Sequence, residues 1–272
     1  MRTRVIRGTA AIKDAFYSAS EAGRAALITY LTLGYPSREA TLDLVPALQA
    51  GGADLIELGV PFSDPVADGP VIQQASNQAL EAGMTPSDCL ALVAELRASG
   101  ITAPLVLMGY YNPIHSYGPE AYAARCAQVG VDGLIVPDLP PEEAGPLSAA
   151  CSDRGIALIY LAAPTTDEQR MVYIASQTEG FLYVVSRLGT TGAGDAPGVA
   201  LDKQLAVVRQ VARTPIAVGF GVSCPEDARY LAGRADGVIV GSAIVERAAQ
   251  GAIAVHSFVA DLREALEHKE PA

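Results

Sequence analysis

Short apolar runs alternate with stretches of helical spacing along most of the chain. Strands of a parallel sheet covered by helices read as nearly continuous apolar runs, whereas the helices show apolar residues every three or four positions. Eight strand and helix pairs follow one another in this way. The predicted pairs are Leu27–Thr32 with Arg38–Ala50, Asp54–Leu58 with Pro86–Ser99, Leu105–Gly109 with Pro119–Val129, Gly133–Val136 with Glu142–Arg154, Ala157–Leu161 with Asp167–Ser176, Phe181–Val185 with Leu201–Ala212, Ile216–Gly219 with Pro225–Ala232, and Gly237–Val240 with Ala243–Leu266.

This repeat predicts an α/β protein whose eight units close into a single (β/α)8 TIM barrel. An open doubly wound sheet is the alternative. An extra N-terminal helix over Thr9–Arg24, which Gly23 can end, precedes the first strand and is expected at the bottom of the barrel. No change of composition marks a linker, so residues 1–272 are expected to form a single TIM-barrel domain.

Composition and charge narrow the classes of partner. The 272 residues are 50% hydrophobic and 18% charged, which suits a large core and argues against disorder. A net charge of -11 and a pI near 4.7 argue against nucleic acid and against anionic membranes as partners. No run reaches ~18 apolar residues and no signal-peptide segment follows the basic N-terminus, so a cytoplasmic protein is expected.

The cysteines and histidines show no metal-binding pattern. None of the three histidines lies beside a Cys, Asp or Glu cluster at ligand spacing, and the four cysteines show no paired spacing. We therefore predict no metal site and no Ser-His-Asp triad.

Glu57 ends an apolar strand and is the first candidate for catalysis. Its neighbours Leu55, Ile56 and Leu58 predict surroundings of low dielectric, which raise the pKa of a carboxyl and suit it to proton transfer near neutral pH. The alternative is a buried carboxylate whose hydrogen bonds are all satisfied.

Asp68 follows in a loop with Asp64 that several prolines and Gly69 restrict. The loop would hold this second carboxylate rigidly beside the end of the Glu57 strand. Alternatively, Asp68 only caps a helix that begins near Pro70.

Catalytic groups of such barrels lie where strands run into the following helices. The end of the third strand carries Tyr110, Tyr111 and Asn112, the fourth Asp138, and the fifth Pro164-Thr165-Thr166. Each can contact substrate, or the aromatic residues can close the core and Asp138 can organise a turn.

The ends of the last two strands predict a phosphate site. Gly219-Phe220-Gly221 lets the backbone approach a ligand, and Gly241-Ser242 opens the last helix with unpaired N–H groups. The alternative is close packing of glycine with a serine N-cap. The long loop 186–198, rich in glycine and threonine, is expected to close over the site as a lid.

The fifteen residues from Ile56 to Pro70 resemble the signature of the tryptophan synthase α-subunit family. The similarity continues through Thr32–Pro36, Val136–Pro140, Gly219–Gly221 and Gly241–Val245. It implies retro-aldol cleavage of indole-3-glycerol phosphate to indole and glyceraldehyde 3-phosphate, a lyase reaction of tryptophan biosynthesis. It also implies a heterotetrameric α2β2 complex, in which indole passes to a β subunit that carries pyridoxal phosphate, so no cofactor is expected in this chain.

The resemblance assigns roles to individual residues. It makes Glu57 the proton shuttle, Asp68 the partner of the indole nitrogen, and Thr191 the lid threonine that closes onto the loop aspartate. Tyr183 would line the pocket, with Phe220, Tyr30 and Met108 on the apolar wall around the indole. The full predicted substrate-binding set is Tyr30, Tyr110, Tyr183, Thr191, Gly192, Gly219, Phe220, Gly221, Gly241 and Ser242.

Three alternatives stay open. Leu188 and Thr190 depart from the family's lid pattern, and a stand-alone indole-3-glycerol phosphate lyase shares the other motifs. A non-catalytic allosteric subunit of the same complex would more readily have lost Glu57 or Asp68. A sugar-phosphate isomerase or epimerase would need a catalytic Lys or Cys, or a metal-binding His, at a strand end.

Overall fold

The computed structural model describes residues 6–186, 199–219 and 221–267. These residues form nine strands, all parallel to their neighbours in one sheet, and twelve helices. The strands are β1 (Ala26–Thr32), β2 (Leu55–Gly59), β3 (Leu105–Met108), β4 (Gly133–Ile135), β5 (Ala157–Ile159), β6 (Leu161–Ala162), β7 (Leu182–Val185), β8 (Ile216–Gly219) and β9 (Gly237–Val240). The helices are α1 (Thr9–Glu21), α2 (Arg38–Ala50), α3 (Pro70–Glu81), α4 (Pro86–Ala98), α5 (Tyr111–Tyr117), α6 (Pro119–Val129), α7 (Gly145–Ser152), α8 (Glu168–Gln177), α9 (Val199–Val211), α10 (Pro225–Ala232), α11 (Ser242–Ala248) and α12 (Ala252–Glu267).

The sheet closes through a strand that is broken in two. Its hydrogen-bonded order runs from β5 through β4, β3, β2, β1, β9, β8 and β7 to β6. The two ends of this order, β5 and β6, are joined by Tyr160 alone, whose carbonyl accepts a hydrogen bond from the Tyr183 N–H at 3.1 Å. Because β5 and β6 together occupy one strand position, the sheet is an eight-position barrel. The (β/α)8 prediction is confirmed, and the open doubly wound sheet is wrong.

Side chains of the strands alternate between two apolar layers. Leu27 and Leu31 of β1 belong to the layer between the strands and the helices, whereas Ile28 and Tyr30 belong to the barrel interior. Successive side chains of a strand point to opposite faces, so burial on both faces produces the continuous apolar runs of the sequence.

Helix α1 packs against the interior layer as predicted. Ile12 and Phe16 belong to that layer, and the Phe16 ring lies 5.5 Å from the ring of Phe181, centroid to centroid. The helix ends at Glu21, earlier than the predicted Arg24, and Gly23 follows with a φ of 74°. That left-handed conformation suits glycine and stops the helix.

Several elements differ from the sequence prediction. Helix α5 was not predicted, and α3 was considered only as the alternative explanation of Asp68. The predicted final helix is two helices, because Gly251, with a φ of 94°, separates α11 from α12. Helix α7 begins at Gly145 rather than Glu142, with Pro146 in its first turn, where its missing N–H leaves no intrahelical bond unmade.

Candidate active site

Glu57 lies on β2 with its side chain in the barrel interior. The residue is 1% exposed, and among the described residues its Oε2 atom has no hydrogen-bond partner. Burial, and secondarily the charge of Asp68, raises the pKa of Glu57 to about 8. The sequence left open that Glu57 is a structural carboxylate whose hydrogen bonds are all satisfied. The Oε2 atom without a partner does not fit that alternative.

Asp68 lies in the loop that leads to α3. Its N–H donates to the Pro65 carbonyl at 3.0 Å, and Gln73 Nε2 donates to the Asp68 carbonyl at 2.8 Å. The Asp68 Oδ2 atom accepts a hydrogen bond from the Tyr110 hydroxyl at 3.1 Å. Burial raises the pKa of Asp68 to about 6, although the bond from Tyr110 lowers it. Helix α3 has Gly69 as its N-cap without any side-chain cap, so the capping explanation of Asp68 is wrong.

A cavity of about 220 Å³ brings the two carboxyl groups together. Apolar and aromatic side chains from strands on both sides of β2 form its wall. The lining includes predicted residues from six separate parts of the chain, namely Tyr30, Glu57, Asp68, Met108, Tyr183, Gly221, Gly241 and Ser242. Buried apolar pockets with a few convergent polar groups are typical of small-molecule sites.

Two tyrosines of this wall fit against glycines of neighbouring strands. A β-carbon at Gly59 would lie 2.0 Å from the Tyr30 hydroxyl oxygen, and one at Gly219 would lie 2.5 Å from the Tyr183 hydroxyl oxygen. Burial raises the pKa of both tyrosines well above the usual value, so both stay neutral. Gly219 was predicted to approach phosphate. It is not among the residues that line the cavity, and its missing side chain instead leaves room for Tyr183.

After β8 and β9, glycine backbone lines the cavity. Gly221 adopts a φ of 86°, and Gly241 is the N-cap of α11. The N–H groups of Ile244 and Val245 both donate to the Gly241 carbonyl, which leaves the earlier N–H groups of the helix without intrahelical partners. Ser242 is the first helical residue, so the alternative of a serine N-cap is wrong.

The family profile described as "Tryptophan synthase alpha chain" matches residues 16–271. The chain belongs to the tryptophan synthase alpha chain family.

Individual relatives agree with this assignment. The chain is 51% identical to the tryptophan synthase alpha chain of Chloroflexus aurantiacus over 236 residues, which cover 87% of this chain and 89% of the relative. It is 46% identical to that of Dehalococcoides mccartyi over 258 residues, which cover 94% and 99%.

Solved structures of the family have the same fold. A structure of Mycobacterium tuberculosis tryptophan synthase aligns with a TM-score of 0.87 at 37% identity and covers 94% of this chain and 98% of that chain. The tryptophan synthase subunit alpha of Legionella pneumophila gives a TM-score of 0.87 at 36% identity, with the same coverage.

Within this family fold, other predicted residues have different surroundings. Tyr110 stacks on Phe62 and does not line the cavity. Asp138 accepts hydrogen bonds from the Tyr111 N–H at 2.9 and 3.2 Å, so these bonds hold the start of α5 and do not lie within its own turn. The Thr166 hydroxyl accepts the Ala163 N–H at 3.0 Å, a bond within a single turn.

Some predictions fall elsewhere. Thr191, Gly192, Phe220 and the lid loop lie outside the described residues, apart from Ser186.

Within the described ranges, no group of three or more His, Cys, Asp or Glu side chains could hold a metal ion. Those same ranges contain no helix long and apolar enough to cross a membrane.

Sequence reasoning missed part of the wall. Ile72 of α3 and Ile239 of β9 line the cavity, as does Glu246 of α11. Ile239 could have been found from the alternation of inward and outward side chains along a strand. Ile72 could not, because its place depends on how the loop 60–69 returns over the barrel.

Proposed function

We propose that this chain cleaves indole-3-glycerol phosphate to indole and glyceraldehyde 3-phosphate. The observation that carries the proposal is the pair of carboxyl groups in one apolar-walled cavity with different pKa values. With a pKa of about 8, Glu57 is mostly protonated at neutral pH, whereas Asp68, with a pKa of about 6, is mostly ionised. One cavity therefore offers a proton donor and an anion at the same pH.

The reaction needs both. Glu57 donates its proton to C3 of the indole ring, and the ring nitrogen becomes positively charged. Asp68, as a carboxylate, accepts the N–H hydrogen bond and stabilises that charge. Glu57, now ionised, removes the proton of the glycerol C3' hydroxyl. The bond between C3 and C3' then breaks, its electrons restore the neutral indole, and the aldehyde forms.

Two parts of the cavity lining suit the two ends of this substrate. The indole would lie against Tyr30, Met108 and Ile239, with Tyr183 and Phe220 near it. The phosphate would accept hydrogen bonds from backbone N–H groups near Gly221 and at the start of α11, beside Ser242. Thr191 and Gly192 of the lid would complete the enclosure.

We further propose that the chain works with a tryptophan synthase β subunit in an α2β2 complex in the cytoplasm, as a single domain. The pyridoxal phosphate of the complex belongs to that partner, and this chain needs no cofactor. Val66, on the loop that carries Asp68, is 84% exposed and offers an apolar contact at the open rim. A stand-alone lyase would carry out the same cleavage without the partner.

The variant Glu57→Gln tests the proposal. It keeps the volume and removes the transferable proton, so indole formation should fall by roughly 10²- to 10⁴-fold, with affinity for glycerol 3-phosphate retained. Indole release and calorimetric binding are the measurements.

Glu21→Gln is the matched control, since this exposed glutamate ends α1 at the opposite end of the barrel. It should leave activity unchanged. Full activity of Glu57→Gln would sink the assignment of Glu57, and absence of any cleavage by the unmodified chain, alone or with a β subunit, would sink the function.

A further inference from the structure

Tyr110 has contacts that the sequence did not predict. It was expected to bind substrate, yet its ring is 4% exposed and stacks on Phe62, with 5.0 Å between ring centroids and 26° between ring planes. Its hydroxyl donates to Asp68 Oδ2 at 3.1 Å and accepts the Ala67 N–H at 3.0 Å. Both bonds go to the loop that carries Asp68.

The position of the Tyr110 ring determines which groups its hydroxyl can contact. Tyr110 lies two residues after the end of β3 and forms the N-cap of α5, so its backbone is fixed by the barrel. The stack on Phe62 limits rotation of the side chain from the loop side. The loop is therefore tied to the barrel by one side chain at three adjoining points, and Asp68 is one of them.

The hydrogen bond from the Tyr110 hydroxyl to Asp68 matters because of the charges around Asp68. Facing it are the carboxyl of Glu57 from β2 and the neutral hydroxyls of Tyr30 from β1 and Tyr183 from β7. Glu246 of α11 lines the same cavity, and Asp138 lies near Tyr110. None of the described residues that line the cavity is Lys, Arg or His. Among the described residues, the ionised Asp68 thus depends on a neutral donor rather than on a cation.

We propose that Tyr110 is a positioning residue for the cleavage reaction, whose hydroxyl holds Asp68 in the cavity as an ionised carboxylate. The inference deepens the proposed function and depends on it. Without the hydroxyl, burial acts on Asp68 unopposed. Its titration then moves toward that of Glu57, which narrows the pH range in which one group is a proton donor and the other an anion.

The test is Tyr110→Phe, which keeps the ring and its stack on Phe62. Tyr122→Phe is the matched control, because Tyr122 is a buried tyrosine of α6 whose hydroxyl interacts with Cys126 rather than with a carboxylate. The titration of Asp68 is followed by ¹³C NMR of chains labelled in the aspartate carboxyl, with Asp68→Asn to assign the signal. This readout needs no catalysis.

In Tyr110→Phe the titration of Asp68 should move upward by about one pH unit, the size expected when a carboxylate loses one hydrogen bond. The acid limb of kcat/KM should move by the same amount. Activity should fall about fivefold at pH 6 and less than twofold at pH 7.5, while KM changes less than twofold. Tyr122→Phe should move neither.

An unmoved Asp68 signal would overturn the proposal. So would a rise in KM at unchanged kcat, which would make Tyr110 a substrate contact. If the Asp68 signal moves but no variant or unmodified chain releases indole, the positioning role stands and the proposed reaction fails.

Discussion

Glu57 and Asp68 show how surroundings separate two chemically similar residues. Glu57 projects from a strand into the closed interior and has one oxygen without a described partner. Asp68 lies in a partly buried loop and accepts a hydroxyl hydrogen bond. The two groups line the same cavity, and their pKa values differ because Glu57 is more deeply buried and only Asp68 accepts the hydrogen bond from Tyr110.

Keeping Glu57 buried lowers the stability of the fold above mildly acidic pH. The unfolded chain releases this proton near the ordinary value of 4.5, whereas the folded chain keeps it up to about pH 8. A raised pKa in the folded state means that stability is lost as pH rises through this interval. The stability advantage of Glu57→Gln over the parent chain should therefore be larger at pH 8.5 than at pH 5, by roughly 4 kcal/mol.

Denaturant unfolding at the two pH values measures this gap. Equal differences at pH 5 and pH 8.5 would show that Glu57 titrates alike in both states.

The burial of Glu57 was predictable from the sequence, because an acidic residue inside an apolar strand is visible in the strand itself. The bond between Tyr110 and Asp68 was not visible, since it joins two loops separated by 42 residues. Loop conformation depends on contacts with the rest of the barrel, and local pattern does not encode it.

Among the elements, Asp132 ties three parts of the chain together at the start of β4. Its buried carboxylate accepts the Gly8 N–H at 2.6 Å and the Leu105 N–H at 2.9 Å, and it pairs with Arg97 of α4 at 2.5 Å. It therefore links the residue before α1, the start of β3 and the outer helices.

Asp132→Asn should destabilise the fold by about 3 kcal/mol, because the substitution leaves the guanidinium of Arg97 largely buried without its counter-charge. Chemical denaturation measures the loss. Glu95→Gln, which breaks the exposed pair with Arg38, is the control and should change stability by less than about 1 kcal/mol. Similar losses in both variants would show that burial does not distinguish the pairs.

Elements with a strong repeating pattern were predicted within a few residues, and α10 and β9 were predicted at their observed bounds. Helix α5 was missed because Tyr110, Tyr111 and Asn112 were interpreted only as residues at the end of the third strand. The break at Tyr160 was missed because an apolar run does not reveal that its two halves pair with different neighbours.

At the scale of the molecule, the barrel arranges the loops of several strands on one rim. The proposed β subunit would dock there and favour the closed lid. Each ~1.4 kcal/mol of preference for the closed state changes its population tenfold, so turnover should rise by about one to two orders of magnitude. Indole formation with increasing β subunit measures the effect.

Thr191→Val should reduce this activation more than it reduces substrate affinity. Val66→Ser should also weaken the activation by the β subunit. Val172→Ser, which alters an exposed valine on α8, should not. An isolated chain as fast as the saturated mixture would favour the stand-alone lyase.

The fit between Tyr30 and Gly59 restricts how this barrel can evolve. A β-carbon at residue 59 would lie 2.0 Å from the tyrosine oxygen and 2.6 Å from the ring carbon that bears it, so removal of the hydroxyl alone makes too little room. A lineage that drifts from this sequence must replace the ring before it can replace the glycine. If the glycine is replaced first, the intermediate protein has a side chain at residue 59 that clashes with Tyr30. Tyr183 and Gly219 impose a similar order, so alanine at either glycine position should be found only in descendants that have already lost the opposing tyrosine.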